Sequence, residues 1–147
     1  LKDSKAFIMR DSTFADLKNI LEERFSTGAF AIFYDVGKGC CVRSCERLMQ
    51  EHSSTSGLLE SIVQRKREER WGELRFELSP DGTGKVFMTD CFEARQYGAS
   101  KQPICYFFKG YLEGFLSRAF RRPLKVTETE CLAKGDKGCI FQINAES

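Results

Sequence analysis

The 147 residues make one domain of ordinary size and leave no room for two independent cores. Apolar residues are 41% of the chain and charged residues 30%, with only 3 Pro, which excludes a disordered, collagen-like or low-complexity chain. The 23 Lys and Arg against 21 Asp and Glu leave a formal charge of +2, too little for the electrostatic grip of a stand-alone nucleic-acid-binding domain.

Ser12 precedes Phe14, Leu17, Ile20, Leu21 and Phe25 at helical spacing, which predicts an amphipathic helix over 12–26 that Gly28 stops. The apolar, aromatic run 29–34 is bounded by Gly28 and by Gly37-Lys38-Gly39, and reads as a buried strand. Helical period returns over about 40–52 and 57–70, predicting two helices separated by Ser53-Ser54-Thr55-Ser56. The second of these carries the charge run 64–70, a solvated face. Leu74, Phe76 and Leu78 alternate with Arg75, Glu77 and Ser79, and Val86 to Cys91 returns after Pro80-Asp81-Gly82-Thr83-Gly84, predicting a hairpin. Pro103 opens a helix over about 104–119, and 124–131 with 139–143 form two last strands. The expected architecture is a single α+β domain over 1–147: four or five helices on an antiparallel sheet of about five strands, with the last helix followed by a β-hairpin. No run approaches the roughly 18 apolar residues of a membrane span, and Leu1-Lys2-Asp3-Ser4 lacks the apolar stretch of an export signal, so a cytoplasmic setting is expected. The chain does not begin with Met, and any DNA-binding segment would lie outside it.

Seven cysteines are an odd number, which rules out complete pairing within the chain. Glu128, Cys131 and Cys139 stand as E-x2-C-x7-C across the last hairpin, and Cys105 lies at the start of the preceding helix. Three thiolates and a carboxylate can close a tetrahedral zinc site with no open position, hence a structural one. Residues 128 and 131 point to opposite faces of a regular strand, so a bulge near Glu130 is required. The alternatives on spacing alone are buried small residues or a Cys131–Cys139 disulfide. Cys41 and Cys45 fall on one helix face beside Cys40, with Arg43 and Arg47 nearby, and form either part of a core or a thiol redox switch. Cys91, at a strand end, has no assigned partner, and His52 reads as a surface residue or a hydrogen-bonding group for a phenolic or carboxylate ligand. Gly110 and Gly114, four apart, predict close approach of a second backbone, within the fold or across a dimer.

The stretches Ile104-Cys105-Tyr106-Phe107-Phe108-Lys109-Gly110-Tyr111-Leu112-Glu113-Gly114-Phe115 and Val126-Thr127-Glu128-Thr129-Glu130-Cys131, continuing to Cys139-Ile140-Phe141, resemble the 4-vinyl reductase domain family. That family includes sensor domains of aromatic-responsive bacterial transcription activators, archaeal proteins and an accessory protein of bacteriochlorophyll synthesis. Its fold is similar to that of core subunits of the TRAPP vesicle-tethering complex. The resemblance implies zinc on Cys105, Glu128, Cys131 and Cys139, since the family's aromatic sensors space a first Cys 23 residues before Glu-x2-Cys-x7-Cys, as here. It also implies a homodimer and an apolar ligand pocket, for which Phe108, Leu112, Phe115, Val126 and Trp71 are candidate lining residues. The expected function is a non-enzymatic, zinc-stabilised regulatory sensor of a small hydrophobic or aromatic molecule, with no direct nucleic-acid contact. The alternatives are a tetrapyrrole vinyl reductase or its accessory factor, and a cysteine redox sensor based on Cys40, Cys41 and Cys45. No dinucleotide fingerprint or nucleophile with a paired base is present to favour an enzyme.

Overall fold

The computed structural model describes residues 5–147. Leu1–Ser4, on which the reading of the N-terminus partly rested, lie outside the described residues. Three helices come first, α1 (Asp11–Phe25), α2 (Gly28–Glu51) and α3 (Thr55–Glu68). They are followed by the hairpin β1 (Glu73–Leu78) and β2 (Gly84–Thr89), the single turn α4 (Phe92–Arg95) and the central helix α5 (Tyr106–Ala119). The chain closes with β3 (Leu124–Glu130), a 3-10 turn over Leu132–Lys134 and β4 (Cys139–Ala145). The four strands form one antiparallel sheet in the order β1-β2-β4-β3, so the last hairpin inserts β4 beside β2. This is the α+β arrangement expected, with the C-terminal helix followed by a hairpin.

One expected element is absent among the described residues. The run 29–34 is not a strand, and Gly37-Lys38-Gly39 is not a turn; both belong to the 24-residue helix α2. Its buried residues Ala29, Phe33, Gly37, Cys41 and Cys45 recur every fourth position, ending at Leu48. Glycine is itself a member of that stripe. A Cβ on Gly37 would run into the Phe107 carbonyl oxygen, and one on Gly110 into that of Tyr34, so α2 and α5 cross at backbone contact. The packing gained outweighs the roughly 1 kcal/mol that a mid-helix glycine costs. Gly114 likewise faces Cys41, so the close approach expected of Gly110 and Gly114 occurs within the fold.

The core lies between α5 and the sheet, with Phe108, Tyr111, Leu112, Phe115 and Leu116 of α5 facing Val86, Met88, Val126, Phe141 and Ile143. A buried ion pair fastens α1 to it. Lys18 donates to Glu93 at 2.6 Å and to the Ile104 carbonyl at 2.7 Å, with both side chains fully buried. Glu93 in turn accepts from Phe107 N at 3.0 Å and Phe108 N at 2.9 Å, satisfying donors that the first turn of a helix leaves unpaired. The N-terminus of α5 is thereby held from outside the helix, next to Cys105.

Candidate metal centre

Three pieces of chain bring the four donors together. Cys105 occupies the N-cap of α5 rather than its first turn, with its backbone N–H free of the helix to point at Glu128 Oε2, 2.9 Å away. Glu128 lies near the end of β3, where the pairing with β4 slips: Glu128 faces Phe141 but Glu130 faces Ile140. The extra residue, Thr129, is the irregularity that the 128/131 spacing requires, and it turns both side chains to one side. Cys131 follows, its N–H accepted by Asp136 Oδ2 at 2.9 Å, and the turn from Leu132 to Lys134 returns the chain to Cys139. Leu132 N donates to Cys139 Sγ at 3.4 Å, the kind of contact that steadies a ligating sulfur.

One ligand atom from each of Cys105, Glu128, Cys131 and Cys139 lies within 4.8 Å of the others. Cys105 Sγ is 3.9 Å from that of Cys131 and 3.8 Å from that of Cys139. Thiolates held about 2.3 Å from a common tetrahedral ion stand about 3.8 Å apart. The sulfurs are therefore already at the separation that zinc demands. Glu128 Oε1 is buried and has no hydrogen-bond partner, an orphan acceptor that a cation would satisfy. Burial, reinforced by neighbouring Cys131 and opposed by the Cys105 N–H, raises the Glu128 carboxyl from 4.5 to about 8. Burial likewise pushes the Cys105 thiol well above its ordinary value. Such a cluster is costly to ionise alone and favourable to ionise around a cation, so the donors fit a divalent metal of zinc type. Bound there, such an ion would tie the N-cap of α5 to both strands of the last hairpin.

A fourth thiol joins the cluster that spacing did not reveal. Cys91, fully buried, has its sulfur 3.8 Å from that of Cys105. Its signal in the sequence was indirect: β2 pairs Met88 with Cys139, which carries the end of that strand to the same place.

The other candidates divide. Phe108, Leu112, Phe115 and Val126 are at most 1% exposed and pack in the core. Trp71 borders a surface cleft of about 1050 Å³ together with Phe7, Met9, Phe14, Phe92 and Phe107. Its ring meets Phe92 at 4.9 Å on the cleft side and Tyr111 at 5.3 Å and Phe108 at 6.2 Å on the core side. Lys66, nearly buried, sits 3.5 Å over the same indole. A smaller cleft of about 440 Å³ is bordered by half-buried His52, with Leu58, Arg118 and Phe120. Cys41 and Cys45 are fully buried with sulfurs 2.8 Å apart, and Cys40 is half-buried, its thiol raised chiefly by burial. The cation that faces Cys41 and Cys45 is Arg118 of α5, while Arg43 acts on Cys40.

Comparison with known proteins gives a context for this geometry. The chain is 25% identical over 119 residues to the protein MJ0150 of Methanocaldococcus jannaschii; the match covers 81% of this chain and 66% of that one, just under two thirds of its length. The sensory domain of the transcription activator PoxR, a phenol-responsive domain solved with phenol, superposes with a TM-score of 0.79 at 20% identity, over 99% of this chain and 79% of that one. A vinyl-4-reductase family protein from Methanocaldococcus jannaschii superposes with a TM-score of 0.61 at 19% identity, over 99% of this chain and 86% of that one. At these identities the two structures establish the shared fold. The family model of the vinyl-4-reductase domain matches residues 85–145, which span β2, α5 and all the candidate metal donors. The resemblance read from residues 104–115 and 126–141 stands: residues 85–145 carry a vinyl-4-reductase domain, on a fold shared with a solved protein of that family.

Proposed function

We propose that this chain is a zinc-stabilised sensor domain for a small hydrophobic or aromatic molecule, regulatory in output and working as a homodimer in the cytoplasm. The observation that carries the reading is the juxtaposition of the metal cluster with an aromatic-walled cleft. Cys91 and Cys105 of the cluster are followed by Phe92 and, two residues on, Phe107, both of which line the cleft. A guest between Trp71, Phe92 and Phe107 would therefore bear on chain segments that the ion holds. The phenol-responsive sensory domain of PoxR has the same fold, which supports this ligand class. The seven cysteines are all unpaired, as zinc ligation in a reducing compartment requires. For the dimer, the support is an apolar face on α1 and α2, where Leu17, Ile20, Phe25, Ile32 and Val36 are between 41% and 56% exposed. No helix of the described residues is long and apolar enough to cross a membrane. Regulation would pass through such a pairing or through a further segment or partner, as binding shifts the balance between two packings.

Trp71 is the single tryptophan, so intrinsic fluorescence reports on the cleft alone. Titration with phenol and simple alkylphenols should give a saturable change in emission together with a raised melting temperature. Phe92→Ala should weaken that binding by about tenfold or more. Emission and melting temperature both unmoved at millimolar phenols would rule out this ligand class.

A further inference from the structure

Cys91 gives the cluster five donors for four positions. Its sulfur is fully buried and 3.8 Å from Cys105 Sγ, matching the 3.8 Å and 3.9 Å that separate Cys105 from Cys139 and Cys131. It also hydrogen-bonds the Cys139 thiol. Cys105 Sγ thus stands one tetrahedral edge, about 3.8 Å, from three other sulfurs. Glu128 completes the set whose donor atoms lie within 4.8 Å of one another, and Cys91 lies just outside it. For a zinc-type ion a thiolate is the softer and better-matched donor, and Glu128 is the one oxygen among the five.

We propose that Cys91 is a reserve metal ligand that takes the place of Glu128, so that the site exchanges between three thiolates with a carboxylate and four thiolates. This rests on the metal reading given above. The exchange balances without oxidant or reductant: Cys91 surrenders its thiol proton as its sulfur joins the ion, and the Glu128 carboxylate leaves the ion and takes that proton. The position of Cys91 gives the exchange a handle. Phe92, the next residue, donates its N–H to the Trp71 carbonyl at 2.8 Å and packs its ring 4.9 Å from the Trp71 indole in the cleft wall. A guest that displaces this wall moves Cys91 relative to Cys105, and so selects between the two ligand sets.

Cobalt(II) alone is the probe, because its thiolate charge-transfer absorption scales with the number of bound sulfurs. Glu128→Gln should keep about one cobalt per chain and raise that absorption by about a third, from three thiolates to four. Cys91→Ser alone should leave the wild-type absorption unchanged. Combining Cys91→Ser with Glu128→Gln should lower cobalt affinity at least about tenfold below Glu128→Gln. Should Gln at 128 prevent folding, Glu128→Asp, with a carboxylate one methylene shorter, serves the same comparison. Unchanged absorption in the folded 128 variant, or a double variant that binds as tightly as the single one, overturns the proposal. Wild-type protein that binds no cobalt overturns the metal reading itself, a result distinct from either.

Discussion

At the scale of single residues, Glu128 and Cys131 carry the sharpest consequences. Without metal, the folded chain holds the Glu128 proton up to about 8 against an ordinary value of 4.5. Between those values the folded state binds a proton that the unfolded state has lost, so the stability of metal-free protein falls as pH rises through that window, by a few kcal/mol. Metal binding needs the carboxylate and the thiolates, and strengthens over the same range. Chelated protein should therefore show a lower urea midpoint at about pH 8 than at about pH 5.5, and metal-loaded protein the reverse order. Equal midpoints for the chelated protein would show that Glu128 ionises freely. Cys131→Ser removes a sulfur held by its own N–H to Asp136, and should reduce zinc content well below one per chain in elemental analysis. Full zinc occupancy in that variant would remove Cys131 from the ligand set. These residues were legible because their spacing is local: Glu128, Cys131 and Cys139 lie on one hairpin, and the register slip at Thr129 follows from the alternation of strand faces. Cys91 was not, because only the long-range pairing of β2 with β4 carries it to the cluster.

At the scale of elements, the crossing of α2 and α5 decides the fold. The sequence reading cut α2 at Gly37-Lys38-Gly39, since glycines ordinarily punctuate; the every-fourth pattern from Ala29 to Cys45 runs straight through them and was the better guide. The two glycines have opposite surroundings. Gly37 abuts the Phe107 carbonyl, whereas a Cβ on Gly39 would meet only the Arg43 guanidinium at 3.8 Å. Gly37→Ala and Gly110→Ala should each destabilise by about 2–3 kcal/mol. Gly39→Ala should instead stabilise by about 0.5–1 kcal/mol through helix propensity. Urea unfolding of the three variants checks both signs, and a neutral Gly37→Ala would mean that the helices do not touch backbone to backbone. The short helix α4 escaped the sequence reading because its reason for forming is tertiary: Glu93 is buried under Lys18 and caps α5. The hairpins and α5 were read closely, since alternation and helical period there met no competing signal.

For the molecule as a whole, α5 lies between the sheet and the first helices, with the metal cluster at its N-terminal end and the aromatic cleft beside it. Candidate pocket residues Phe108, Leu112, Phe115 and Val126 form solid core, and the space for a guest opens on the far side of Trp71, a distinction that composition does not carry. The metal would fasten this end of α5 to β3 and β4, so chelation should lower the melting temperature by about 10 °C or more and adding zinc back should recover it. The exposed apolar face on α1 and α2 bears on assembly. Ile20→Glu with Val36→Glu should shift the sedimentation coefficient from that of a dimer to that of a monomer while the helical circular dichroism is retained. An unchanged coefficient would place any pairing elsewhere.

X-ray absorption at the zinc edge of the metal-loaded chain tests the account most directly. It should resolve three sulfurs at about 2.3 Å and one oxygen at about 2.0–2.2 Å around each ion. A first shell made only of nitrogen and oxygen, or protein that takes up no zinc, would contradict it.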